Sequence, residues 1–337
     1  MPTPRILLSL IALSFAGQTM AAEVNVYSAR KDALIVPLLD RFTAKTGIEV
    51  NLITGKANTL LSRIQAEGAA TPADVLVTVD AGNLHRAKEA GVLATVDSTT
   101  LSEKIPENLR DVDHQWFGLT VRSRPIFYVK DRVNPSELST YEALTDSEWK
   151  NRICIRSSSN IYNQSLVASM IKANGQEATL EWAEGLMSNL ARKPTGGDTD
   201  QLRAAAAGQC DLAIANTYYF GRLIDSKKPE DREVVQKLGV FWPNQADRGA
   251  HINVSGMAVT QHAKNPAEAV QLLEFMVSGD AQAYYAAINH EYPVVPGVEP
   301  SPTIASLGEF KSDALNLSTL GVNNKQAVKL MDRAGWQ

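Results

Sequence analysis

Histidine and cysteine, the usual ligands of transition metals, are scarce here: five histidines and two cysteines in 337 residues. His85, His114, His251, His262 and His290 are scattered, and none stands at ligand spacing from another histidine or from Cys154 or Cys210. Without a C-x-x-C or a Cys/His cluster, a structural zinc site is excluded. The chain also lacks a G-x-S-x-G elbow, an H-E-x-x-H helix, a phosphate-cradling loop and a dinucleotide fingerprint, so nothing marks it as an enzyme. Lysine and arginine do not cluster, and the net charge is −4, which leaves no footprint for a nucleic acid. After residue 22 no apolar run approaches the ~18 residues a bilayer span needs. There is no internal repeat and no low-complexity tract.

What is present begins with an export signal. Arg5 gives a short positive end, Ile6 to Ala16 an apolar core broken only by Ser9 and Ser14, and Thr19-Met20-Ala21-Ala22 a small-residue exit. Removing residues 1–22 takes away Arg5 and moves the charge from −4 to −5. The remaining ~315 residues exceed one comfortable core and predict two domains. In an oxidising compartment Cys154 and Cys210 read as one disulfide, the alternative being two buried thiols.

From Glu23 onward strands and helices alternate. Val24 to Tyr27 reads as a strand, followed by a helical face of Leu34, Ile35, Leu38, Leu39 and Phe42. Pro37 inside that face predicts a late start or a kink, and Gly47 a stop. Strands at 48–53 and 74–78 and helices closed by Gly68 and Gly91 continue the pattern. A second alternation runs from Arg152 to Asp225, with strands around Cys154 and at 210–215. Asn253 to Thr260 reads as a further strand and Pro266 to Ile288 as two helices. The expected fold is therefore α/β, with two lobes, each a mainly parallel sheet flanked by helices, and a ligand cleft between them.

Three tyrosines fall at strand ends, where such folds present side chains to ligands. Tyr218 and Tyr219 follow the strand ending at Ala215, and at a strand-to-helix bend both can face one point. Tyr162 follows the polar loop Ser157-Ser158-Ser159-Asn160. Tyr162 and Tyr218 each lie eight residues after a cysteine. Converging phenols suit a hard trivalent cation. Ionising one phenol of ordinary pKa at pH 7 costs about 4 kcal/mol, and three about 12 kcal/mol. Fe³⁺ can offset that cost, whereas divalent hard ions choose carboxylates and carbonyls. By residue type alone packing tyrosines are the better explanation, and their place at strand ends brings the two readings level.

At these residues the sequence resembles the periplasmic ferric-ion-binding proteins of bacterial ABC importers, a transferrin-like solute-binding family. The resemblance runs through Val26-Tyr27-Ser28-Ala29-Arg30, Pro72-Ala73-Asp74-Val75, Gly118-Leu119-Thr120-Val121-Arg122 and Ile161-Tyr162-Asn163-Gln164-Ser165. It continues in Ala215-Asn216-Thr217-Tyr218-Tyr219 and in Pro243-Asn244-Gln245 through Gly256. It implies a type II periplasmic binding fold in which Tyr162, Tyr218 and Tyr219 ligate Fe(3+). It also implies that Arg122 holds a synergistic anion, typically carbonate or bicarbonate, which its planar guanidinium matches. Lys31 stands where many members carry a histidine ligand, and Val79, beside Asp80, where they carry a glutamate. The chain is therefore similar to the branch that uses three tyrosines and an exogenous anion or water. Tyr27, Arg30 and Asp80 are candidates for the layer around the metal, with packing an equal reading for Tyr27.

By the same resemblance the protein is a periplasmic monomer that delivers iron to an inner-membrane permease and its ATPase. Residues 23–120 and 244–300 would form lobe 1, and 121–243 lobe 2, with 301–337 packing on lobe 2. A phosphonate, thiamine or polyamine cargo on the same fold is the competing expectation.

Overall fold

The computed structural model describes residues 22–337. The export signal expected at 1–22 lies outside the described residues except for Ala22. Among the described residues ten strands form two sheets. They are β1 Glu23–Ser28, β2 Glu49–Thr54, β3 Val75–Val79, β4 Phe117–Ser123, β5 Ile126–Val129, β6 Ile153–Cys154, β7 Leu212–Ile214, β8 Leu238–Phe241, β9 Ile252–Val259 and β10 Tyr292–Pro293. The six-stranded sheet has the order β10-β4-β9-β3-β1-β2, and the four-stranded sheet β6-β7-β5-β8.

Both sheets are mixed, which corrects the expectation of mainly parallel pairing. β1 pairs in parallel with β2 and β3, but β9 runs antiparallel to both β3 and β4, and β10 antiparallel to β4. In the second sheet β6 and β7 are parallel while β5 is antiparallel to β7 and β8. The cause is the path of the chain. It leaves the first sheet at Ser123, enters the second at Ile126, and returns along β9, wedged between β3 and β4 against their direction.

Strand alternation builds the second lobe's two faces. Ile126, Ile153, Leu212 and Ile214 point into one apolar cluster with Leu166, Trp182 and Trp336, while Phe127, Cys154, Ala213 and Ala215 point into another with Phe220 and Leu223. The first sheet is covered by one larger core containing Val26, Ile35, Phe42, Leu84, Met257 and Leu272. The C-terminal segment touches both lobes. Leu317 and Leu320 join the first core, and Leu330, Met331 and Trp336 the second.

The helix Asp32–Thr46 runs through Pro37 rather than starting after it, burying Ile35, Leu38, Leu39 and Phe42 and ending at Gly47 with φ 75°. A left-handed residue at that point favours glycine. Two strands flanking the chain's crossing, β4 and β5, were not legible in composition. Every residue of β4 is buried, including Thr120, Arg122 and Ser123, so no polar-out alternation marks it.

Candidate metal centre

The disulfide is present: Cys154 and Cys210 are bonded, with Cα atoms 5.9 Å apart. β6 and β7 are parallel neighbours, with Cys154 beside Ala213. Their carboxyl ends therefore open at the same edge, and the turns that follow both strands lie side by side.

Each turn leads into a helix whose second residue is a tyrosine. Asn160 caps the helix Ile161–Asn174, its side-chain oxygen accepting the Tyr162 backbone N–H at 3.0 Å. The helix Thr217–Ile224 begins after Asn216, so Tyr218 and Tyr219 both occupy its first turn. Helical neighbours are about 100° apart rather than opposed as in a strand, which lets both rings share a side. The ring centroids of Tyr218 and Tyr219 are 4.3 Å apart, and Tyr162 meets Tyr218 edge-on at 6.5 Å. The structure thus brings the three expected tyrosines together. Tyr218 is buried, and Tyr162 and Tyr219 are half-buried.

Burial is the largest influence on the phenols. It pushes Tyr162 up to about 12, aided by Tyr219 and opposed by the Arg122 charge and a hydrogen bond with Tyr218. Tyr218 is held well above its ordinary value by burial and then by Tyr162 and Tyr219. Charge on one phenol discourages charge on its neighbours, so only a strongly positive guest can ionise them together. Among the described residues no three His, Cys, Asp or Glu side chains gather at metal-binding distance.

Arg122 closes one side. It projects from β4, is 1% exposed, and places its guanidinium carbon 6.0 Å from the Tyr162 ring centre. Its Nη1 donates to Ser255 at 3.2 Å, while its Nε is buried with no acceptor among the described residues. Arg156, which sequence reasoning missed, approaches the same ring at 5.6 Å, and its Nε is likewise without an acceptor. Arg222, one turn beyond Tyr218, lies 5.0 Å from that ring. Their sequence signal was only their proximity to the tyrosine motifs, at six residues before Tyr162 and three after Tyr219.

The three candidates for the layer around the metal divide. Tyr27 is turned away: its hydroxyl donates to the Glu67 carboxylate at 3.0 Å, beneath Arg63. Arg30 is buried, pairs with Glu291 at 2.7 Å and bonds Ser255, the residue that also receives Arg122. Glu291 further accepts from Thr120. Asp80, fully buried at the end of β3, accepts from the Gly82 N–H at 2.9 Å, from Asn253 at 2.9 Å and from Ser165 at 2.7 Å. Burial raises its carboxyl above the usual range, against the pull of Arg122 and these donors. Lys31 is exposed and immediately precedes the helix Asp32–Thr46, with no capping hydrogen bond from its side chain.

The histidines stay outside this chemistry. His251 lies buried where the chain re-enters the first sheet, its carbonyl accepting from Ser123 at 2.8 Å. Burial, then Arg124, Arg248 and Arg122, push its imidazole down to about 3, so it is neutral at any physiological pH.

Comparison with known proteins gives one consistent neighbourhood. Residues 38–312 match the family described as bacterial extracellular solute-binding protein. Iron uptake protein A1 of Synechocystis sp. is 52% identical over 315 residues, covering 94% of this chain and 88% of the relative. A Trichodesmium protein (IdiA, FutA) solved in complex with iron and citrate ligands superposes with a TM-score of 0.92 at 50% identity, over 94% of this chain and 100% of that one. The ferric binding protein from Campylobacter jejuni gives 0.87 at 42% identity, over 93% and 100%.

Proposed function

This chain belongs to the bacterial extracellular solute-binding proteins, and from that premise we propose that it captures ferric iron for import. It is a binding protein rather than an enzyme, as its relatives are solute-binding transport proteins. Tyr162, Tyr218 and Tyr219 hold Fe³⁺ as phenolates. The observation that carries this reading is the convergence of three tyrosines beside Arg122, with no competing cluster of three His, Cys, Asp or Glu among the described residues.

Arg122 holds the synergistic anion. Its unpaired Nε–H supports this, because a planar carboxylate or carbonate edge matches a guanidinium fork. Carbonate fits that edge, and citrate, present with iron in the Trichodesmium relative, offers the same group. Residues 23–120 with 244–300 form one lobe and 121–243 the other, with 301–337 packing on both and the lobes closing on the cargo by a hinge. The protein works in the periplasm as a monomer and passes iron to an importer's permease and ATPase.

The test is metal content. Mature protein recovered from iron-replete periplasm should carry close to one iron per chain, and a Tyr218→Phe/Tyr219→Phe double variant almost none. Equal iron in both would remove the tyrosines from the ligand set. No iron in either would direct the search to phosphonate, thiamine or polyamine cargo.

A further inference from the structure

Arg124, in the short link between β4 and β5, reaches both tyrosine-bearing turns at once. It is 1% exposed. Its Nη2 donates to Asn163 Oδ1 at 2.7 Å, one residue after Tyr162. Its Nη1 donates to Asn216 Oδ1 at 3.0 Å, two residues before Tyr218. The same guanidinium pairs with Asp198 at 2.7 Å and touches the Ile214 carbonyl at 3.3 Å. Asp198 is fully buried, accepts the Asn216 backbone N–H at 2.8 Å, and accepts from Arg156 at 3.2 Å.

A buried ion pair rarely stabilises a fold more than well-packed apolar residues would, because desolvation consumes most of the attraction. This pair does something apolar packing cannot. A planar fork with fixed donor directions sets the relative placement of two amide oxygens, and each belongs to a residue within two positions of a tyrosine. The disulfide ties the strands below these turns, and Arg124 ties the turns themselves.

We propose that Arg124 and Asp198 are positioning residues for the cargo site, fixing Tyr162 against Tyr218 and Tyr219 without touching the cargo. The inference rests on the tyrosine-ligation reading given above. Lysine keeps the charge but has one ammonium in place of the fork, so it cannot reproduce the bonds to Asn163, Asn216 and Asp198 together. Asn216→Ala removes a single arm, since the Asn216 side chain bonds Arg124 alone among the described residues.

The experiment compares disulfide-bonded, full-length mature wild type with Arg124→Lys and Asn216→Ala. Thermal melting first establishes that each variant is folded. Two readouts follow: loss of iron to excess EDTA, with the visible spectrum of the loaded protein, and crystal structures of the iron-free proteins. The expected result is iron loss about tenfold or more faster in a folded variant, as loss of one charge-assisted bond implies. The tyrosinate band should shift, and the Tyr162–Tyr218 ring separation should depart from 6.5 Å. If Arg124→Lys does not fold, Asn216→Ala decides by the same measures, with a smaller effect. A lower melting temperature with unchanged iron loss, band and ring separation would overturn the proposal and leave a purely structural ion pair. If wild type itself shows no tyrosinate band, the ligation reading fails, and the iron-free ring separation still decides the positioning role.

Discussion

The Ser165 hydroxyl donates to the Asp80 carboxylate at 2.7 Å, joining the end of β3 in the first sheet to the helix that carries Tyr162. Both residues are fully buried, and their elements belong to different apolar cores. The bond spans the two cores, so the hinge opening proposed above would break it. Asp80 also holds an unusual backbone, φ 74°, and caps its own helix through the Gly82 N–H.

Ser165→Ala is the clean probe of this latch, because Asp80 has structural duties of its own. A hydrogen bond to a charged acceptor contributes about 1.5–3 kcal/mol. Its loss should shift the open–closed balance of the loaded protein toward open by roughly tenfold or more. Small-angle scattering should show a larger radius of gyration in the loaded variant than in loaded wild type. Identical scattering would mean the contact contributes nothing to closure.

The disulfide closes a separation of 56 residues, for which chain entropy gives about 4 kcal/mol. A Cys154→Ala/Cys210→Ala variant should lose about 2–4 kcal/mol by urea unfolding at pH 7. Iron affinity should fall with it, because both tyrosine turns rise from the two bridged strands. A destabilised variant with wild-type affinity would show that the turns hold their places without the bridge.

On the ligand set proposed above, iron binding must release protons. Burial holds Tyr162 near 12 and Tyr218 higher than its ordinary value, so both are protonated in the metal-free protein at neutral pH. Each must lose its proton to bind, so affinity rises with pH and falls in acid. A pH-stat titration at pH 7, corrected for protons taken up by the released chelator, should find at least two protons per iron. Release of fewer than one would mean that these phenols do not ligate. The shifts also act on the metal-free fold. A raised folded pKa stabilises the protonated state fully below about pH 10, and that contribution disappears as pH climbs through about 12.

Gly256, in the middle of β9, lets that strand lie against its neighbours. A Cβ there would fall 2.8 Å from the Phe117 carbonyl and 2.5 Å from Leu84. Gly256→Ala should cost about 1–3 kcal/mol of stability by denaturant unfolding. An unchanged midpoint would show that the β4–β9 contact can spread at no cost.

Much of the site was legible because it rests on local signals. A cysteine, a strand, a polar turn and a tyrosine recur twice at the same spacing, and the structure brings both copies to one sheet edge. Helix ends at Gly47 and Gly68 were equally local. What escaped depends on distant contacts. β4 is buried on all sides, so its polar residues carry no alternation. Arg124 and Asp198 lie 74 residues apart and reveal themselves only as a pair. The antiparallel insertion of β9 follows from a chain returning between lobes, which no local pattern encodes. Tyr27 read as a candidate because it ends a strand, yet Glu67, 40 residues on, claims its hydroxyl.

The central claim is that buried phenols become iron ligands, and visible spectroscopy tests it most directly. Ferric citrate is added to metal-free mature protein, with and without bicarbonate. A broad tyrosinate-to-iron band should grow to one equivalent, bleach in acid, and fail to form in Tyr218→Phe/Tyr219→Phe. If bicarbonate is the anion Arg122 holds, the band should strengthen with it and weaken in Arg122→Met. No band near neutral pH would contradict the account and leave the three tyrosines as packing residues.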